Sequence, residues 1–381
     1  MVKIVLISPI LQHYRLTFYQ KLSILDPEYD FRVFYGYKLG EDGRPSYRGK
    51  TQFKSKGFRT YKFKIFPFLL VYNRGMYKAV KDFDPDIVII QGIAGDITYR
   101  RIISWARRKR KKVFVWACGW EPGRAKGLML KFKNMLVKSF FHKADYFLTY
   151  SSKASKYIAD MGFAEKMIET CYNGIETDTL EDKKEYYLFK AQKIRKEYEM
   201  NDFITFLYVG GLIKEKRPDL LIDAFLLLRK KYNDIKLFII GDGPLRNEIV
   251  EKIGKVEDSN IRYLGRIIND VDAYFAASDC LVLPGVGGLA LNQAMFWGKL
   301  CIVSEADGTE EDLVIDGVSG YRFKKNDLNS LIDAMERRIK ENPQKLQKMS
   351  EVARDIIVKR SNVNNMVRHF SNAIEKMLSV Q

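Results

Sequence analysis

The chain has 381 residues, too long for one ordinary core, and about 150 residues per domain points to two. With 46% hydrophobic and 13% aromatic residues and no low-complexity tract, the composition excludes a disordered chain. The net charge of +18 is lopsided: residues 1–150 hold 30 basic against 11 acidic side chains, while residues 201–381 hold 26 of each. Such asymmetry predicts two domains facing different partners.

Cys118, Cys171, Cys280 and Cys301 are far apart, with no C-x-x-C pair and no Cys/His cluster. That excludes a zinc site and a disulfide scaffold, so no metal is expected, and the compartment is expected to be reducing. The apolar stretch after Lys3 is broken at Pro9, His13 and Arg15, unlike a signal peptide. No run approaches the ~18–20 apolar residues of a membrane span. No DNA- or RNA-binding motif appears, so the basic half is not assigned to nucleic acid.

In chain order, Lys3–Ser8 is a short apolar run suited to a buried parallel strand, followed by a turn over Pro9–Tyr14 and a helical pattern over Arg15–Leu22. Further strands are expected at Phe31–Tyr35, Ile87–Ile90, Val113–Trp116 and Tyr146–Tyr150, with helices at Tyr77–Phe83, Ile97–Arg108 and Lys126–His142 between them. Residues 181–200 are charge-dense and read as a passage between domains. A second alternating series opens at Phe203–Val209 and runs on through helix Leu221–Lys231, strand Leu237–Ile240, helix Leu245–Ile253 and strand Ile261–Leu264. Helix Val271–Ala277, strand Cys280–Leu283, helix Leu289–Trp297 and strand Leu300–Val303 complete it. The expected fold is α/β: two Rossmann-like, doubly wound domains facing across a cleft, with ligands at the carboxyl ends of the strands. The boundaries read as 1–180, 181–200 for the passage and 201–360, with 361–381 a final helix that packs back on the first domain.

Three strand-to-helix transitions in the second half carry the chemistry. In Val209-Gly210-Gly211-Leu212-Ile213-Lys214-Glu215-Lys216-Arg217-Pro218 a strand ends in two glycines, and cations gather at the mouth of a helix, where backbone N–H groups already favour an anion. Ile240-Gly241-Asp242-Gly243-Pro244 repeats the break, with Pro244 suited to a first helical turn. Leu283-Pro284-Gly285-Val286-Gly287-Gly288-Leu289 places three glycines before a helix, an arrangement suited to a pyrophosphate without a metal.

Together with Tyr172-Asn173-Gly174-Ile175-Glu176, Tyr263-Leu264-Gly265-Arg266, Ala277–Pro284 and Asp316-Gly317-Val318-Ser319-Gly320, these segments resemble the retaining glycosyltransferases of family 4, which have the GT-B fold. The resemblance implies a nucleotide-diphosphate sugar as donor substrate, no further cofactor, and retention of configuration. It puts Gly265, Arg266 and Ile267 near the base and Gly210 and Gly211 in the donor loop. Lys216 neutralises the departing diphosphate, and the backbone of Gly287, Gly288 and Leu289 meets the sugar and phosphate. Two glutamates eight positions apart are usual in the third loop. Here those positions are Gly285 and Gln293, and the usual first-loop arginine falls on Gly211. Asn292 and Lys214 are the candidate substitutes.

In the first half, His13, Tyr14 and Arg15 follow the first strand and are candidate acceptor contacts, as are Cys118, standing where many relatives carry histidine, and Trp120. Arg107–Lys112 is a run of six cations, and Lys126–Lys143 mixes lysines with Leu, Met and Phe as an interfacial helix does. The expectation is a cytoplasmic protein, peripheral at the inner face of the membrane, acting on a glycan or lipid-linked acceptor in cell-surface polysaccharide biosynthesis (capsule, O-antigen or lipopolysaccharide). The alternative is a catalytically inactive homologue serving as a partner or scaffold, motivated by Gly285 and Gln293.

Overall fold

The computed structural model describes residues 1–37, 46–65, 68–117, 128–256, 258–306 and 308–379, apart from the side chains at 65, 68, 117 and 128–133. They form two compact units, one of residues 1–172 with 363–381 and one of residues 173–362.

The first unit contains β1 (Val2–Ser8), α1 (Leu16–Ser23), β2 (Tyr29–Gly36), β3 (Ser55–Phe58), β4 (Thr60–Ile65), β5 (Phe68–Asn73), α2 (Met76–Phe83) and β6 (Ile87–Gln91). It continues with α3 (Ile97–Arg108), β7 (Lys112–Ala117), α4 (Leu128–Phe141), β8 (Tyr146–Thr149), α5 (Ser152–Asp160) and β9 (Ile168–Thr170). Seven strands make a parallel sheet in the order β3-β2-β1-β6-β7-β8-β9, while β4 and β5 form a separate antiparallel hairpin. Successive strand residues point to opposite faces. Ile4 and Leu6 therefore enter one core with Phe18 and Trp116, and Val5 and Ile7 enter the other with Tyr99, Ile102 and Phe140. Helices cover both faces, which is why β1 reads as a continuous apolar run. The hairpin is missed from the sequence because only Tyr61-Lys62-Phe63-Lys64 alternates, Phe68-Leu69-Leu70-Val71-Tyr72 reads as a plain apolar run, and Pro67 between them is a lone turn residue without glycine or asparagine.

The second unit comprises α6 (Thr177–Asp182), α7 (Lys184–Glu197), β10 (Ile204–Val209), α8 (Pro218–Arg229), β11 (Ile235–Ile240), α9 (Arg246–Gly254), β12 (Ile261–Gly265), α10 (Val271–Ala277) and β13 (Cys280–Leu283). It closes with α11 (Leu289–Phe296), β14 (Leu300–Ser304), α12 (Thr309–Leu313), β15 (Gly320–Phe323), α13 (Leu328–Lys340) and α14 (Pro343–Lys359). Its six parallel strands lie in the order β12-β11-β10-β13-β14-β15. Residues 181–200 are largely α7, whose Ala191 and Ile194 enter the core of this unit beside Ala273 and Ala277 of α10. The last helix, α15 (Val363–Ser379), belongs to the first unit and packs Phe370 edge-on against Phe18 and Trp116.

Candidate functional site

In the second unit the loops following β10, β11 and β13 meet because glycine lets their backbones touch. Gly241 has a φ of 156° and donates to the carbonyl of Gly265; a Cβ there would stand 1.8 Å from the Gly210 carbonyl oxygen. Only glycine fits such an approach. β10 and β13 are neighbours, so the loops leaving them open the crevice where doubly wound sheets hold ligands.

Lys216 lies in a single 3-10 turn, Lys214–Lys216, that follows β10. Its ammonium donates to the carbonyls of Val286 (3.0 Å) and Gly287 (2.6 Å), directly before α11. Those oxygens orient the ammonium without cancelling its charge. Arg217 is committed elsewhere: it adopts a left-handed conformation (φ 51°), and its guanidinium is held by Asp219 and Asn326. Lys214 is exposed. Of the three cations in the segment, Lys216 is therefore the one turned to the glycine loop.

Gly285 has a reason of its own to be glycine. A Cβ there would lie 2.1 Å from the Glu215 carbonyl oxygen and 2.8 Å from the Lys216 backbone, and the Val286 N–H donates to that same carbonyl at 3.0 Å. The backbone of the first loop occupies the place where a side chain at 285 would start. Gly287 donates its N–H to Glu310 (2.8 Å), a carboxylate only 1% exposed on α12. The sequence reading missed Glu310; its only signal is the Gly308-Thr309-Glu310 start of a short helix after β14. Gly288 caps α11 with a positive φ of 148°, a backbone conformation that favours glycine, and a Cβ there would come within 3.8 Å of the Lys216 ammonium. Gly288 and Leu289 thus stand where the first N–H groups of α11 and the Lys216 charge converge.

Asn292 is 1% exposed, and its amide donates to the Asn173 carbonyl (3.1 Å), so it braces the unit from within. Gln293 is half-buried beside Asp272 of α10. Burial pushes the Asp272 carboxyl above its ordinary range, while the Trp297 indole N–H (2.9 Å) and the Gln293 amide pull it back down. A carboxyl group thus lies beside position 293, on the neighbouring helix. Gly265 ends β12 with φ 71°, Arg266 is exposed and Ile267 half-buried in the loop beyond.

In the first unit, His13 is exposed and Tyr14 half-buried, their rings edge-to-face at 5.9 Å. Arg15 is 5% exposed; its guanidinium lies 4.1 Å over the Trp116 ring and donates to the Tyr150 hydroxyl (3.2 Å). Cys118 and Trp120 lie outside the described residues. In the cationic run Arg107 pairs with Asp145, and Lys111 with Asp84 and Asp86. Phe140 and Phe141 at the end of α4 are buried in the core, whereas Met135 is exposed. Among the described residues no group of His, Cys, Asp or Glu could hold a metal ion, and no helix is long and apolar enough to cross a membrane.

Comparison with known proteins places these features in a family. The model of glycosyltransferase family 4 matches residues 29–179, and that of glycosyl transferases group 1 matches residues 190–356. An uncharacterized glycosyltransferase of Methanocaldococcus jannaschii is 27% identical over 65% of this chain and 65% of its own. The capsular polysaccharide biosynthesis glycosyltransferase CapM of Staphylococcus aureus is 24% identical over 41% of this chain and 42% of its own. The chain thus spans less than two thirds of each of these relatives. The crystal structure of Anabaena HepE in complex with UDP superposes with a TM-score of 0.75 at 15% identity, covering 99% of this chain and 100% of that one. Two doubly wound units, a glycine-lined loop addressed by Lys216, and family matches along both units make the chain a GT-B glycosyltransferase.

Proposed function

We propose that the protein moves a sugar from a nucleotide-diphosphate sugar to a glycan or lipid-linked acceptor, with retention of configuration, during synthesis of a cell-surface polysaccharide. The observation that carries the donor half is the Lys216 ammonium, fixed on the carbonyls of Val286 and Gly287 in front of α11. When the bond between the anomeric carbon and the diphosphate breaks, negative charge grows on the departing phosphate oxygen. A preplaced cation and a helix N-terminus stabilise that charge without reorganising, often the largest part of such catalysis. The UDP complex of HepE and the capsule-synthesis role in the name of CapM support the reading. No step in it draws on a metal or a further cofactor.

The donor half is tested by thermal shift with UDP, GDP and ADP, followed by hydrolysis and transfer assays with the matching sugar nucleotides. One nucleotide is expected to raise the melting temperature, and its sugar conjugate to turn over. If none of the three shifts the protein, the reading falls.

The same proposal puts the chain in the cytoplasm against the inner face of the membrane, through Arg107–Lys112 and Lys126–Lys143, each basic side chain near an anionic surface contributing ~1 kcal/mol. It predicts co-sedimentation with anionic vesicles at low salt and release at high salt. Absence of binding at low salt sinks this part. A second reading, an inactive homologue acting as a partner, is favoured by Gly285, where no side chain reaches the sugar. Nucleotide binding with no turnover of any sugar conjugate would support it.

A further inference from the structure

Buried polar atoms are nearly always hydrogen-bonded, so a cluster of unpaired ones calls for a partner, an ordered water, an ion or a ligand. Twelve buried side-chain nitrogens and oxygens among the described residues have no hydrogen-bond partner, and six of them belong to five residues of the first unit. They are Gln12 Oε1, Arg15 Nε and Nη1, Tyr19 Oη, Tyr99 Oη and Trp116 Nε1.

These five residues come together through the topology. Gln12 and Arg15 lie in the turn after β1, and Tyr19 is on α1; Tyr99 opens α3, which follows β6, and Trp116 is near the end of β7. β1, β6 and β7 are adjacent and parallel, so all these positions fall at one edge of the sheet. Tyr19 belongs to the core on one face and Tyr99 to the core on the other. The chain therefore leaves β1 and β6 toward opposite faces, the arrangement that opens a ligand crevice in such sheets. The Arg15 guanidinium stacks on Trp116, and Tyr19 stands within electrostatic reach of both Arg15 and Tyr99.

The chemistry of the unpaired atoms is one-sided. Arg15 Nε and Nη1 carry three N–H groups, Trp116 one, and each tyrosine an O–H; Gln12 Oε1 is the single atom restricted to accepting. Among the described residues, the groups facing Arg15 are the phenols of Tyr14, Tyr19 and Tyr150 rather than a carboxylate, and the neutral Tyr14 and Ser8 hydroxyls are the groups close to Arg15 and Tyr19. A buried cation without a counter-charge is costly unless one is supplied. A surplus of donors around a fixed positive charge describes a receptor for an oxyanion, as a neutral hydroxyl would leave most of these donors unmet.

We propose that this edge of the first sheet binds an oxyanion, a carboxylate or a phosphate, with Arg15 as its charge partner and Tyr19, Tyr99 and Trp116 as neutral donors. Under the glycosyltransferase reading, on which this last step rests, the oxyanion belongs to the acceptor, which is then an acidic or phosphorylated glycan rather than a neutral one.

The test uses the whole chain with saturating nucleoside diphosphate, so that the anion site of the second unit is filled. Calorimetry then compares methyl glucuronoside, methyl glucoside 6-phosphate and neutral methyl glucoside. At least one anionic glycoside is expected to bind tenfold or more tightly than the neutral one, and which one it is tells carboxylate from phosphate. Arg15→Gln is expected to erase that preference and leave nucleotide affinity within twofold. Should Arg15→Gln fail to fold, Tyr99→Phe keeps the ring and is expected to weaken the anionic glycoside three- to tenfold without touching the neutral one. Equal binding of all three glycosides to the unmodified chain overturns the proposal, as does a preference that survives in both variants. Loss of nucleotide binding with the anion preference intact would instead sink the glycosyltransferase reading and leave the oxyanion site standing.

Discussion

The two units use the carboxyl edges of their sheets in opposite ways. In the second unit the edge is backbone: Gly210, Gly241, Gly285 and Gly287 let main chains and one lysine come together, and a Cβ at Gly285 would collide with Glu215. In the first it is side chain: Arg15, Tyr19, Tyr99 and Trp116 each hold a buried polar atom that has no hydrogen-bond partner among the described residues. A backbone site suits a group common to many substrates, such as a diphosphate, since any sequence that keeps the glycines keeps the N–H groups. A side-chain site suits a group that varies between substrates. Under the proposed function, the contrast fits shared donor chemistry at the second unit and choice of acceptor at the first.

Removing the one side chain on which the backbone site depends should have the largest effect. Lys216→Ala is expected to lower turnover about a hundredfold, the usual result of deleting one preplaced stabiliser of a developing anion. Acidic-glycoside binding at the first unit should not change. Steady-state kinetics with the matching sugar nucleotide check the first part and calorimetry the second; a turnover within twofold of normal removes Lys216 from the mechanism.

Gly285→Ala comes next. Its new methyl group meets the Glu215 carbonyl at 2.1 Å, so the loop has to shift. Such overpacking costs about 1–3 kcal/mol. Thermal unfolding should show a lower melting temperature, and donor affinity should fall with it because Lys216 rides on the displaced segment. A glutamate at this position begins with the same Cβ, so restoring the family residue is expected to harm the protein. Retention of full stability by Gly285→Ala would mean the first loop yields, and the backbone site is softer than its geometry indicates.

How much of this was legible beforehand follows the same division. The strand-glycine-helix rhythm and the meeting of Lys216 with the glycines at 285, 287 and 288 were readable because strand-to-helix turns that bring backbones this close impose glycine at particular spacings. The buried runs of β1, β6, β10 and β13 were readable because a parallel sheet covered on both faces needs continuous apolar strands. Glu310 was not, because a carboxylate fourteen residues beyond the end of α11 shows no sign of bonding Gly287 until the chain folds. Nor was the grouping of Tyr19, Tyr99 and Trp116: each is a single aromatic residue in an apolar element, and only strand order brings them together. Asn292 illustrates the reverse, a polar residue at a promising spacing whose amide faces inward to Asn173.

The finest test of the backbone site concerns its missing acid. Gln293→Glu restores the family's residue, but here it sets a second carboxylate beside Asp272, which burial already holds above its ordinary range. Like charges at such a position repel, so nucleotide affinity in the single variant is expected to fall roughly three- to tenfold at pH 7.5, on the order of 1 kcal/mol. Asp272→Asn in the same chain removes the repulsion and should return affinity to the starting level or better. The pH dependence has a definite sign. Two carboxylates that raise one another's pKa share a proton once the pH drops toward their raised values, so the single variant should recover affinity on acidification, whereas the double variant should not. Asp272 alone predicts a smaller trend of the same origin. Its folded-state pKa lies above the unfolded one, so the stability it contributes is present below the ordinary carboxylate range and is lost as pH rises through the folded value. Nucleotide titrations of the three proteins at pH 5.5 and 7.5 decide the matter. If Gln293→Glu binds as well as the unmodified chain at both, Asp272 does not face position 293 in the working site.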